Sequence, residues 1–405
     1  MIRKSCRAAT LSLAVLTGII MFAGQGSQAA TLGGSLQAWG NGRSGQLGNG
    51  QAANSDLPVA VTLPTTVTVV AVATGGKHSL ALTSTGQVLA WGNNSEGELG
   101  DGTNSNSAVP VPVHLPNKVV VTAIAAGDDD SMAVTSTGKV YAWGTNEYGE
   151  LGDGSKQSTN TPVAVRLPKG TKVVAIGTSY NYSVALTVGG HVLTWGSNGS
   201  GQLGTGFAKA SEIPVRVNLP KGIKITAIAN GGYHCLALTS TGQIMAWGDG
   251  GFGQLGDGKT KSVFSPVRVR LPKLPAGVKI AAIGAGSQHS VALTSAGEVL
   301  AWGRGDFGQL GDGSTKKRDL PTQVRIPAGD HVTAISAGGG FSLALTSSGQ
   351  ELAWGHNQVA QLGDGSLRNS DVPVVVLIPA GLIAVKLPTG PTTRHSLVIV
   401  QQTPA

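Results

Sequence analysis

Four histidines share one local context. His78, His234, His289 and His395 are each followed by a small residue and then an aliphatic one. Imidazoles of this kind could ligate a metal, which requires their nitrogens to converge at about 2 Å on a single ion. Their phase places each in a separate copy of a long repeat, so a structural hydrogen-bonding role is expected instead. Asp128-Asp129-Asp130 offers oxygen ligands of the type hard cations prefer, but no spaced acidic partners accompany it, and a solvated acidic loop is the expectation. G-x-G-x-x-G occurs at Gly40, Gly199, Gly248 and Gly303, each time after a strand-like run. No helix-forming stretch follows, and a helix N-terminus is what holds a pyrophosphate, so these read as turn glycines. The single G-x-x-x-x-G-K-S/T match, Gly253–Thr260, is the same repeat loop and carries no better claim, and H-E-x-x-H and G-x-S-x-G do not occur. No nucleophile is visibly paired with a base, so neither enzyme chemistry nor a cofactor or metal is predicted.

The remaining chemistry is recognition. Residues that depart from the repeat fall in two kinds of loop, those before the His-Ser-Leu phrase and those after Trp-Gly. They are Arg43, Lys77, Asp128, Asp129, Asp130, Tyr148, Tyr180, Tyr182, Tyr233, Phe252, Arg304, Asp306, Phe307, Phe341, His356 and Arg394, with Glu96 and Glu147 beside them. Aromatic and Arg side chains are the usual anchors of protein interfaces, and variable loops on a uniform scaffold are where recognition sits. A second set, Lys118, Lys169, Lys172, Lys221, Lys224, Lys273 and Lys279, lies in Leu-Pro-Lys-Gly-type connections and reads as solubilising charge.

Seven tryptophans set the frame that must position these loops. Trp39, Trp91, Trp143, Trp195, Trp247, Trp302 and Trp354 are spaced by 52 residues, once by 55, and each precedes a Gly. Four strand-like segments recur in phase with them: Val88–Gly92, Pro266–Val269, Ala123–Gly127 and His78–Thr83 exemplify the types. Abundant Gly (61 residues) suits short strands and tight turns and weakens helix. The chain opens on one segment type and closes on the type that precedes it, so its ends complete one unit. This predicts an all-β, seven-bladed β-propeller of four antiparallel strands per blade, closed by its N- and C-terminal strands. The Ala-Ile-Ala-Ala-Gly segment is expected innermost, because small residues suit a crowded centre. One Trp per blade is expected to pack between blades.

The phrase A-x-G-x-x-H-S-L-A-L-T-x-x-G-x-V-x-A-W-G-x-N-x-x-G-Q-L-G-D-G, followed nearly throughout by Gly75–Gly102, resembles the regulator-of-chromosome-condensation repeat family. The resemblance covers residues 33–400, with Glu98 at a usual Gln. Asp128–Asp130, Tyr182 and Phe341 occupy or adjoin the His position, and Val359-Ala360 replaces a loop Gly. The resemblance implies a propeller fold and, for the founding member, guanine-nucleotide exchange on a small GTPase through a wedge inserted from one blade. The chain has no insertion longer than three residues, near Lys273-Leu274-Pro275. A secreted, β-lactamase-inhibiting protein is similar in architecture, and that likeness points to the same two loop types as a contact face.

Arg3, Lys4 and Arg7, the apolar run Leu11–Phe22 and the small residues Ser27–Ala30 read as an export signal cleaved after Ala29. This leaves residues 30–405 as one secreted, bacterial-type propeller. Cys235 is then a lone cysteine at a Ser position, expected buried. Without the signal, 26 basic residues face 21 acidic ones, too mild an excess to predict nucleic-acid binding. The expectation is a monomer with no transmembrane segment that binds a protein partner. Nucleotide exchange and glycan or cell-wall binding are the alternatives.

Overall fold

Strict repetition of short alternating segments leaves each unit with apolar surface on both faces of its sheet, which only neighbouring units can cover. The computed structural model, which describes residues 35–403, shows this solution. Twenty-eight strands, numbered β1 to β28 along the chain, form seven four-stranded antiparallel sheets. In the Trp91 blade these are β3 (Val69–Thr74), β4 (His78–Thr83), β5 (Val88–Gly92) and β6 (Ser107–Pro112), paired in that order. A bulge between Ala90 and Gly92 bends the outermost strand away. Five further blades repeat the pattern. The seventh combines β27 (Leu382–Lys386) and β28 (His395–Gln402) with β1 (Ser35–Gly40) and β2 (Ser55–Ala60). Ser35 to Gly40 pair in unbroken register with Val400 to His395, so the two ends of the chain lock the ring.

The Ala-rich strand is innermost, as its small side chains suggest. The core lies between blades, not within them. In one of seven equivalent clusters, Leu80, Leu82, Val88 and Ala90 pack on Val121, Ile124, Ala133 and Trp143 of the next blade. All seven tryptophans are fully buried. Each Trp Nε1–H donates to a backbone carbonyl of the preceding blade at 2.6–3.0 Å, that of Gln46 for Trp91. The glycine two residues later has positive φ and lies against the same indole; a Cβ on Gly100 (φ +63) would stand 2.7 Å from Trp143 Nε1. Ala360, in place of a loop Gly, still keeps the left-handed conformation at φ +66. Among the described residues, no helix is long and apolar enough to cross a membrane. The expected export signal, residues 1–29, lies outside the described residues.

Candidate functional site

The histidines are girdle residues. His78, His234, His289 and His395 are fully buried, and each Nε2 meets the Ser hydroxyl of the next blade at 2.7–2.9 Å. For His395 the partner is Ser79, whose hydroxyl proton is given to the Gln46 carbonyl at 2.9 Å. Nε2 must therefore be the donor. Burial lowers His78 and His234 to about 4 and His289 and His395 to about 3, which keeps these rings neutral near pH 7. A neutral imidazole staples each of these blade pairs.

Three candidates for partner contact occupy this buried position, and the structure removes them from the surface patch. Asp130 lies where the His would be and its carboxylate accepts the hydroxyl of Thr178. Tyr182 is fully buried, donating towards the Gly231 and His234 carbonyls (2.9 and 2.7 Å) and accepting the Cys235 thiol at 3.4 Å. A phenol reaches further than an imidazole, and the neighbouring Ser-to-Cys change accompanies it. Phe341 is 1% exposed and packs on the closing blade. Burial pushes the Cys235 thiol up to about 12, so it is not a reactive thiolate.

The other predicted residues do share one face, because the loops before the second strand and after the third strand of every blade emerge at the same end of the sheets. Backbone hydrogen bonds tie the inner loops into a hoop: Gly76 to Gly127, Asp128 to Ser179, Gly232 to Ser287, Ser287 to Gly338 and Gly339 to Thr393. Tyr180 and Tyr233 stack with centroids 5.1 Å apart. The Tyr180 hydroxyl meets Ser287 Oγ at 3.0 Å, and Ser287 reaches the Pro391 carbonyl, so side chains span the mouth of the ring. Sequence reasoning missed Ser287 and Gln288, which carry no aromatic or charged signal.

Beside this pair, Arg304 lies over the rings of Phe252 and Phe307, 5.2 and 4.9 Å from their centroids. Its guanidinium grips Asp306 through two nitrogens at 2.7 and 2.6 Å, and donates to Gln288 at 2.7 Å. Phe307 in turn contacts His356 at 4.6 Å between centroids. An Arg held this way is pre-organised and loses little rotamer freedom on binding. Lys77, Arg394 and the half-buried Asp128 and Asp129 stand on the same face. Burial first, then the Asp129 charge, raises Asp128 to about 6, while Lys77 and Arg394 oppose the shift. Arg43, Glu96, Glu147 and Tyr148 are exposed on outer loops of the same face. Among the described residues, no group of three His, Cys, Asp or Glu side chains is placed to hold a metal ion.

Residues 35–391 match the RCC1-like domain. The chain is 31% identical over 360 residues to the Arabidopsis thaliana ultraviolet-B receptor UVR8, covering 88% of this chain and 81% of that one. It is 35% identical over 327 residues to the human E3 ubiquitin-protein ligase HERC2, but spans only 7% of that protein. Among solved structures, Saccharomyces cerevisiae Prp20p, described with its binding properties to Gsp1p and histones, superposes with a TM-score of 0.80. It shares 26% identity, with 93% of both chains covered. Repeat, ring closure and these likenesses agree, and the chain belongs to the RCC1-like domain family.

Proposed function

We propose that this propeller is an exported protein-interaction module that holds a protein partner against the Tyr180–Tyr233 and Phe252–Arg304–Phe307–His356 clusters. The observation that carries the reading is their convergence: six departures from the repeat, scattered through four blades in sequence, form two adjoining aromatic groups around a pre-oriented guanidinium. Such clusters behave as interface hot spots, whereas isolated surface aromatics do not. Relatives support the general role, since Prp20p is described through its binding to other proteins. Export rests on the N-terminal pattern and predicts a chain recovered outside the cell beginning at Ala30.

The test is affinity capture with immobilised residues 31–405, beside a variant carrying Tyr180→Ser, Tyr233→Ser, Phe252→Ser and Phe307→Ser. A specific protein retained by the first and weakened at least about tenfold by the second supports the face, tenfold being about 1.4 kcal/mol. Equal retention by both discards it. A small GTPase released by added nucleotide would replace this reading with nucleotide exchange.

A further inference from the structure

A second set of departures from the repeat converges elsewhere, on the lower outer edge of the Trp195 blade. A hollow of about 800 Å³ there is lined by residues including His191, Thr205, Phe207, Arg216, Lys221 and Lys224. In five other blades the residue at the Thr205 position is an Asp, and in four of these a Ser or Thr hydroxyl two residues on caps it. Thr103 with Asp101, Ser155 with Asp153, Ser314 with Asp312 and Ser366 with Asp364 bond at 2.8–3.0 Å. Here the acid is gone and the cap has become Phe207, 73% exposed. The neighbouring turn reads Val188-Gly189-Gly190-His191 where the first full blade has Ser84-Thr85-Gly86-Gln87. One hollow has thus lost an acid and gained an aromatic face and an imidazole.

Its electrostatics are one-sided. Arg216 donates to His191 Nδ1 at 2.7 Å, and an imidazole acceptor leaves the guanidinium charge uncompensated. An adjoining hollow of about 540 Å³ shares Gly189, His191 and Arg216 and adds Lys169 and Lys172. No Asp or Glu lines either hollow. None of the three ion pairs among the described residues uses these cations. The equivalent connections at 62–68 and 377–381 carry no Lys or Arg, whereas Lys118, Lys273 and Lys279 lie in others; what sets this hollow apart is the combination of its cations with Phe207, His191 and the lost acid.

We infer that these joined hollows form a binding groove for a linear acidic oligosaccharide, with a sugar ring on Phe207 and its carboxylates or sulfates on Arg216 and the flanking lysines. A guanidinium takes a carboxylate or sulfate through two parallel hydrogen bonds. The C–H face of a pyranose is flat and apolar and covers an exposed ring that a simple phosphate would leave in water. A single-stranded nucleic acid needs aromatic platforms for successive bases, and the groove has one. The site lies away from the aromatic face, so either proposal can fail alone.

The experiment is a titration of residues 31–405 with a short oligogalacturonate at low and physiological salt. A neutral malto-oligosaccharide and an oligothymidylate of matched charge serve as controls. Saturable, salt-weakened binding is expected, reduced at least about tenfold by Arg216→Ser/Lys221→Ser/Lys224→Ser and several-fold by Phe207→Ser. All four side chains are at the surface, so the variants keep the fold, and Lys77→Ser/Arg394→Ser on the other face should bind normally. The proposal is overturned by absence of saturable binding, by equal loss in the Lys77/Arg394 variant, or by oligothymidylate binding as tightly and ignoring Phe207→Ser.

Discussion

Glu351 stands where Val88, Val140, Val192 and Val299 stand in other blades, fully buried beside the closing blade, with neither carboxylate oxygen hydrogen-bonded. Burial raises it from 4.5 to about 8. A carboxyl whose folded pKa lies above its unfolded value is stable in the neutral form. Stability is therefore lost as pH climbs from about 4.5 to about 8 and levels off above, at about 1.4 kcal/mol per pH unit within that window. Glu351→Val should raise stability by about 3 kcal/mol more at pH 7 than near pH 4. Urea unfolding of both proteins from pH 4 to 9 checks this. Parallel pH profiles would show that the carboxyl finds compensation the structure does not contain. Most girdle positions avoid the problem with neutral groups, as the histidines and Tyr182 show, whereas Asp130 shares it: burial raises its carboxyl well above the usual range and leaves Oδ1 unpartnered.

At the scale of the element, the blade interface depends on a coupling between a left-handed glycine and the next blade's indole. The hydrogen-bonded carbonyl, the glycine and the Trp occur together in every blade, which is why the repeat holds its phase so strictly. Gly100 and Gly50 separate the two demands on such a glycine. Both have positive φ, but an added Cβ strikes Trp143 at Gly100 and meets nothing within 4 Å at Gly50. Gly50→Ala should cost only the conformational penalty, about 1–2 kcal/mol. Gly100→Ala should cost about 2 kcal/mol more, since the indole must leave its carbonyl and repack. Equal losses in thermal or urea unfolding would mean that the interface yields without strain.

For the whole molecule, closure is the cooperative device. β28 is hydrogen-bonded on both sides, to β1 and to β27, so removing it opens two edges and uncovers Trp39 and the apolar flank of the Trp354 blade. Deleting residues 395–405 should abolish the single cooperative unfolding transition and produce an aggregating chain, because open edges pair with other copies. A truncated protein with the near-ultraviolet circular dichroism and melting point of the full chain would show that the ring does not need its lock. The same closure gives the molecule two differently dressed ends, aromatic and mixed in charge on one, basic on the other. The two proposed binding activities should therefore respond independently to salt: strongly at the groove, weakly at the aromatic face.

The repeat spacing, the identity of the four strands, the inner position of the Ala-rich segment and the shared origin of the loops were all legible in the residues. Each follows from local periodicity and chain alternation, which a linear string carries in full. The string could not say which side of the backbone a departing side chain takes at the His position. Asp130, Tyr182 and Phe341 therefore looked like loop-tip anchors when they are interior staples. Nor could it show that Phe207, Thr205, His191 and Arg216, from three separate segments, rim one hollow. Such proximity is decided by how the outer loop folds back along its own blade. Periodicity is a property of neighbours in sequence, whereas burial and convergence belong to neighbours in space, and only the closed ring assigns those.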